Sequence, residues 1–547
     1  MCGIFAILNN KHCEEVVVQN FVKGTDRGPE NSILKFIPEF QLTLGFHRLA
    51  INGLNDSANQ PMFLDDCGLI CNGEIYNYKQ LHLLLGVKNT TFSDCEIIIH
   101  LYKKYGIRQA LRMLDGVFSF LLLDQKQQKI FVARDLFGVR PLFQLKEICS
   151  AQGGITIGFA SEIKMLHGLF KNTEFCSLAP FPPGHYSEYT YGKRGWIPIN
   201  NLPILYTTPD IGINWDTSLS DAQQMIQKNL IAAVKKRVFS TDRKIACLLS
   251  GGLDSSLVTA IVSRFYNQGK LETYSIGLKG SEDLLYARKV ADYLQTQHNE
   301  IICTEEEFLK AIPEVIEKIE SYDTTTVRAS VGNYLVSKYI SEHSDAKVVF
   351  NGDGSDEVTG GYLYFQCAPD AIDFDNECRR LLKDIHLFDV LRSDRSISSN
   401  GLEARTPFLD KYFVQSYLSI PPNIRFQRGK CEKYLLRSAF EPLELLPREV
   451  LFRTKEAFSD GVSPQHKSWF EIIQKHVETQ PDISYNFTHN PPATKEQHYY
   501  RSLFEDKYKG SARVIPYFWM PRFIEATDSS ARTLNIYKNN TNIHNYG

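Results

Sequence analysis

After residue 220 the chain changes rhythm, and that change limits the folds open to it more than any other feature. From Asp221 onward, apolar runs of strand length alternate with stretches of helical spacing. Ile245–Leu249 is followed by Ser255–Phe265, Glu272–Leu278 by Leu284–Gln295, and Asn299–Cys303 comes next. Lys347–Phe350 adds another strand after two helical segments, and beyond residue 380 the pattern is mainly helical. Such alternation predicts βαβ units and a parallel sheet. Residues 1 to about 190 read differently. Short apolar runs (Leu42–Phe46, Leu69–Cys71, Val117–Leu123, Lys129–Ala133) are parted by Gly, Asn and Asp turns, with Asp94–Tyr105 the clearest helix. That mixture predicts stacked antiparallel sheets with helices outside. Between the halves, Trp196 to Ser220 is proline-rich and lacks periodicity, so it is expected to be a linker. The expectation is a two-domain α/β chain: residues 2–195, a linker over 196–220, and residues 221–547.

Composition narrows the function classes. Hydrophobic residues are 43% and charged residues 23% of the 547, ordinary for a globular chain with real cores. A formal net charge of −2 with no long single-sign run argues against nucleic-acid binding and against a polybasic membrane arm. No stretch approaches the ~20 apolar residues of a membrane span. The N-terminal run Gly3–Leu8 is too short for a secretory signal. Of twelve cysteines, the nearest pair is Cys67 and Cys71, with no matching histidine pair, so a structural zinc site is not expected. Free thiols in a reducing, cytoplasmic compartment are expected.

The first chemistry is at the front. With Met1 removed, Cys2 carries a thiol and a free α-amine whose ordinary pKa of about 8 lets it take the thiol proton. Asn72 offers a side-chain amide and Gly73 an unhindered N–H for an oxyanion. Arg48 and Asp94 supply the charges that a zwitterionic amino acid requires. Each residue also has an ordinary reading alone: Cys2 as a small buried residue, Asn72-Gly73 as a hairpin turn, Arg48 and Asp94 as surface charges.

The second chemistry lies in Leu248-Leu-Ser-Gly-Gly-Leu-Asp-Ser-Ser256, between a strand and a helix. Gly251 and Gly252 let backbone N–H groups approach a phosphate at the helix start. No Gly-Lys-[Ser/Thr] follows, so this is not the Walker sequence. A second loop, Asn351-Gly-Asp-Gly-Ser-Asp-Glu357, crowds three carboxylates that repel one another unless a cation lies among them, and phosphates with oxygen ligands point to Mg²⁺. Two such loops at strand ends of one sheet favour a crevice site over a pair of plain turns. Thr325–Ser330 and Arg453–Asp460 bring cations that in isolation read as solvated helix faces.

The motifs together resemble known families. Met1-Cys-Gly-Ile, Arg27-Gly-Pro29, Phe46–Ala50, Cys71–Asn77, Asp115–Phe118 and Arg134-Asp135 with Gly138–Leu142 closely resemble the class II glutamine amidotransferase domain. That resemblance implies an α/β/β/α N-terminal-nucleophile sandwich in which Cys2 hydrolyses glutamine. It implies glutamine contacts at Arg48, Leu49, Ala50, Ile51, Asn52, Asn72, Gly73, Glu74 and Asp94. The Ser250 loop resembles that of adenylating pyrophosphatase-type enzymes. With Lys235–Arg237, Tyr322–Ser330, Asp353–Glu357, Gly401–Asp410, Lys455–Gly461, Trp519–Pro521 and Ser530–Leu534, nearly the whole chain is similar to glutamine-hydrolysing asparagine synthetases. This implies an ATP-dependent synthase with contacts at Leu248, Leu249, Ser250, Gly251, Gly252, Asp254, Ser255, Ile276, Asn351 and Gly352. It implies Mg²⁺ at Asp254 and Asp356, activation of aspartate at Asp353, and roles for Thr325, Arg328, Arg405 and Lys455. A homodimer and an internal path for ammonia are also implied. Three departures stand out. Asp26 replaces a usual histidine beside the glutamine pocket and is expected to weaken that arm; Asn351 replaces serine, and Asp353 replaces glutamate. Two other functions remain open from the residues: an amide synthetase for another carboxylate, or a non-catalytic relative, which would be expected to lose Cys2, the Asp254 loop or Lys455.

Overall fold

The computed structural model describes residues 1–149, 154–170, 175–464, 466–481, 486–530 and 533. The front half holds two sheets. The first has the order Cys176–Pro180, Phe143–Cys149, Gly154–Ala160, Gly3–Leu8, Leu42–Arg48, Asn31–Ile37, antiparallel throughout. The second runs Gly195–Pro198, His185–Gly192, Lys129–Arg134, Gly116–Asp124, Cys67–Ile75, Met62–Leu64, also antiparallel.

Period-2 patterning stacks these sheets. In Gly3–Leu8, Ile4, Ala6 and Leu8 pack against Ile70, Leu121, Leu123, Ile130 and Val132 of the second sheet. Phe5 and Ile7 face the other way and meet Val17 and Phe21 of helix Glu14–Phe21. The outer face of the second sheet places Leu69, Cys71, Phe118 and Phe120 against Ile97, Leu101 and Leu111 of helices Glu96–Tyr105 and Ile107–Met113. The result is the expected α/β/β/α sandwich.

The expected linker needs correction at its start. Gly195–Pro198 and Ile204–Leu205 both pair with His185–Gly192, extending the second sheet. Trp196 is fully buried and donates its indole N–H to the Phe40 carbonyl at 2.7 Å. Burying one large aromatic outweighs the breaking tendency of the nearby prolines, so the sandwich extends to about residue 205.

The back half is built on a five-stranded parallel sheet in the order Gln297–Cys303, Glu272–Leu278, Ile245–Leu248, Val348–Phe350, Glu403–Arg405. Both faces are covered. Ala246 and Val349 belong to the cluster with Val327, Val331 and Ile340 of helix Thr324–His343. Ile245, Cys247, Val348 and Phe350 face Leu257 and Ile261 of helix Leu253–Phe265 and Leu230 of helix Leu219–Val238. Chain order reverses around Ile245–Leu248, with the second and third strands on one side and the fourth and fifth on the other. The loops at 249–255 and 351–357 leave the sheet at this switch point, where ligands bind in open α/β folds.

The halves are joined by apolar packing and buried charge. One continuous apolar cluster includes Phe5 and Phe143 of the sandwich and Tyr322 and Ile397 of the back half. Across the seam Arg27 meets Asp394 at 2.8 Å, Arg140 meets Glu403 at 3.5 Å, and Lys236 meets Asp115 at 2.6 Å.

Candidate active sites

The front constellation converges. Cys2 is half-buried, and its thiol donates to the Leu49 carbonyl at 3.5 Å, one residue from Arg48. Its own carbonyl accepts from Arg27 Nε at 2.9 Å, an arginine fixed in turn by Asp394. Burial pushes the thiol up. With Met1 in place, the chain amine lies at residue 1. It donates to the Leu402 carbonyl at 3.0 Å and is pushed down to about 5 by burial. Asn72 and Gly73 lie inside the strand Cys67–Ile75, which excludes the hairpin-turn reading. The Ser161 hydroxyl ties this strand to the first: it accepts from Ile4 N at 3.0 Å and from Asn72 Nδ2 at 3.5 Å.

Arg48 and Asp94 are 6% and 5% exposed, so neither is a surface charge. Arg48 donates to the Asn55 carbonyl and to Asn59 Oδ1 at 2.8 and 2.7 Å, and also to the Gly53 carbonyl. Asp94 accepts from Ile75 N at 2.6 Å, yet burial raises it to about 6. Glu74 accepts from Asn52 Nδ2 at 2.7 Å and meets Arg405 of the back half at 3.3 Å. Burial first, then Glu403 and Asp94, push Glu74 well up. Asp26 lies at the seam, with its carboxylate 2.5 Å from Lys318. The departure at residue 26 therefore makes an interdomain ion pair.

At the switch point is a cavity that gathers both loops. Leu248, Leu249, Ser250, Gly252, Asp254, Ser255 and Ile276 line it together with Asn351, Gly352, Asp353, Asp356, Thr325 and Lys455. Gly251 does not line it. Its φ is +71°, and a Cβ there would lie 2.4 Å from Ala287 N, so this glycine shapes the turn. Asp254 and Asp356 are bridged by Lys433, at 2.6 Å from each, and Lys455 meets Asp356 at 2.7 Å. Against the burial penalty, the two ammonium groups hold Asp356 well below the carboxylate range. Asp356 and Asp254 in turn raise Lys455 despite its burial. Lys433 escaped the sequence reading because no loop motif surrounds it. Its backbone lies in the left-handed region at φ 56°, rare for a side chain of this size.

On the same wall Arg392 meets Asp353 at 2.9 Å, and Asp389 and Trp519 line the cavity beside them. Tyr362 donates to Glu357 at 2.5 Å, while Glu357 Oε2 and Thr325 Oγ1 are buried with no hydrogen-bond partner among the described residues. Unpartnered polar atoms on a cavity wall suit a polar ligand. The donors also suit Mg²⁺: two hard carboxylates face the space where phosphates would supply the remaining oxygens. Among the described residues no group of three metal-ligating side chains occurs, so protein alone does not complete such a site.

Two expected site residues lie elsewhere. Arg328 does not line the cavity; it is turned to Glu496 at 2.6 Å and Asp528 at 2.7 Å, with its guanidinium over Phe470. Arg405 lies on the outermost strand and points to the seam, bonded to Glu403 at 2.8 Å and to the Ser240 carbonyl at 3.0 Å. In the 530–534 motif, Ala531, Arg532 and Leu534 lie outside the described residues.

The sandwich and the switch-point cavity define a two-domain α/β class with one candidate site in each half. Comparison with known proteins narrows that class. The asparagine synthase family model matches residues 225–374 and 367–514, and the glutamine amidotransferase domain model matches residues 1–179. The glutamine-hydrolysing asparagine synthetases of Gallus gallus and Cricetulus griseus are each 42% identical over 567 residues, covering 98% of this chain and 99% of theirs. That of Homo sapiens is 42% identical over 569 residues with the same coverage. The chain belongs to the glutamine-hydrolysing asparagine synthetase family, a family of ligases.

Proposed function

We propose that Cys2, freed of Met1, hydrolyses glutamine to glutamate and ammonia, and that the back half joins this ammonia to aspartate activated by ATP. The observation that carries the reading is the cavity where Asp254 and Asp356 converge with Lys433 and Lys455 at a parallel-sheet switch point. A carboxylate does not accept an amine in water because its oxygen is a poor leaving group. Transfer of AMP to the β-carboxylate forms β-aspartyl-AMP and releases pyrophosphate; ammonia then displaces AMP and leaves asparagine. Lys433 and Lys455 offset charge on the departing pyrophosphate. Mg²⁺ held at Asp254 and Asp356 would neutralise phosphate charge. Leu248, Leu249 and Ile276 flank the nucleotide base, and the Ser250–Ser255 turn cradles its phosphates.

In the front half, the Cys2 amine takes the thiol proton, and Asn72 and Gly73 stabilise the oxyanion. Arg48 and Asp94 hold the carboxylate and ammonium of glutamine, within a pocket bounded by Leu49–Asn52 and Glu74. Ammonia passes through the interior, since in neutral water most of it becomes ammonium and loses its lone pair. Free cysteines throughout the described residues support a cytoplasmic setting. No helix among the described residues is long and apolar enough to cross a membrane. A homodimer belongs to the same reading.

Cys2→Ala tests the division of labour. Glutamine-dependent synthesis is expected to vanish while synthesis from ammonium salts stays within about twofold of wild type. Loss of both in a folded variant rejects the reading.

A further inference from the structure

The acidic loop contains a contact that the proposed chemistry does not yet use. Asp353 sits between two glycines whose backbones are constrained. A Cβ at Gly352 would lie 2.7 Å from Asp254 Cβ and Ser255 N, and Gly354 adopts φ +87°. The backbone therefore fixes where Asp353 begins, and side-chain partners fix where it ends. Each carboxylate oxygen has one donor: Asn351 Nδ2 reaches Oδ2 at 2.7 Å, and Arg392 reaches Oδ1 at 2.9 Å. Asn351 is itself held. Its backbone N–H donates to the Arg405 carbonyl at 3.1 Å, and its Oδ1 accepts from Asp353 N at 3.3 Å. Its amide group also donates to Ser393 Oγ at 2.7 Å, so both amide protons are engaged. Residue 351 thus bridges the loop to helix Asp389–Ser398 through one amide nitrogen.

We propose that Asn351 is a positioning residue for Asp353 and that the lengths of the two side chains are matched. The longer amide at 351 holds the short acid at 353 in line with the acceptor end of the cavity. Serine at 351 leaves Oδ2 without its donor. Glutamate at 353 drives the carboxylate into the space that the Asn351 amide fills. Both changes together exchange one filled volume for the other. This inference rests on the reading of the cavity as the site of acid activation.

The test is a double-mutant cycle on the full chain, measuring aspartate-dependent pyrophosphate release with ammonium as nitrogen source. Asn351→Ser and Asp353→Glu are each expected to lower kcat about tenfold or more, and the double variant to recover most of the loss. Asn351→Asp keeps the shape but sets a second carboxylate against Asp353, near Arg392, Asp389 and Glu357, so its activity relative to wild type is expected to rise as pH falls. Asn351→Ser as active as wild type, a double variant showing the product of the two single losses, or an Asn351→Asp activity whose ratio to wild type is pH-independent overturns the inference. Wild-type protein that releases no pyrophosphate with aspartate rejects the underlying reading instead.

Discussion

At the scale of single residues, burial changes what the front carboxylates can do. Asp94 is raised to about 6, chiefly by burial, so its anion predominates only above that pH. A zwitterionic ligand whose ammonium pairs with Asp94 loses that partner as pH falls. Because the pKa is raised, the loss begins near pH 6 and not near the ordinary value of about 3.9. KM for glutamine is expected to rise about tenfold per pH unit below this point, while the ammonium-dependent reaction shows no matching inflection. Asp94→Asn should bind glutamine poorly at every pH and lack the inflection. A wild-type kcat/KM for glutamine that stays flat from roughly pH 7 to 5 contradicts the assignment. The residue types at this site were legible in the sequence because they cluster in short motifs. Lys433 and the true partners of Arg328 were not. Arg328 pairs with residues 168 and 200 positions away, and no local pattern encodes a contact that only tertiary packing creates.

At the scale of elements, the legible strands were the apolar ones. Glu272–Leu278 is observed with the bounds its sequence predicts, because both of its faces are buried and the run is continuous. The strand Glu403–Arg405 was invisible: two of its three residues are charged. It forms because Glu403 and Arg405 pair with each other, while Arg140 meets Glu403 and Glu74 meets Arg405. The misread linker has the same origin, since Trp196 is anchored by Phe40 and Asn9, far away in sequence. The outer strand also links the two chemistries. The Arg405 guanidinium reaches Glu74 beside the proposed glutamine pocket, and its carbonyl accepts from the Asn351 N–H on the acidic loop. Arg405→Lys keeps the charge but loses the fork. Glutamine-dependent synthesis is expected to fall by about tenfold or more, and ammonium-dependent synthesis by less. Equal losses in the two assays would show that this strand supports the fold alone.

At the scale of the whole molecule, the seam decides whether two activities become one. Arg27 holds the Cys2 carbonyl at 2.9 Å and Asp394 of the back half at 2.8 Å, so the backbone of the proposed nucleophile is tied across the interface. Breaking one partner of such a buried pair typically costs ~3–5 kcal/mol, because the other charge remains in the interior. If nitrogen passes through the seam as proposed, a sealed seam keeps it from exchanging with solvent and a loosened one releases it. With amide-¹⁵N glutamine and a large excess of unlabelled ammonium, the wild type is expected to make asparagine that retains ¹⁵N, read by mass spectrometry. Asp394→Ala should still form glutamate from glutamine, while the labelled fraction of asparagine drops. If the wild-type product already carries the isotope ratio of the bulk ammonium, nitrogen passes through solvent and the seam only joins two independent catalysts. If Asp394→Ala loses glutamate formation but retains labelling in what little asparagine it makes, the Arg27–Asp394 pair serves the nucleophile and not the passage.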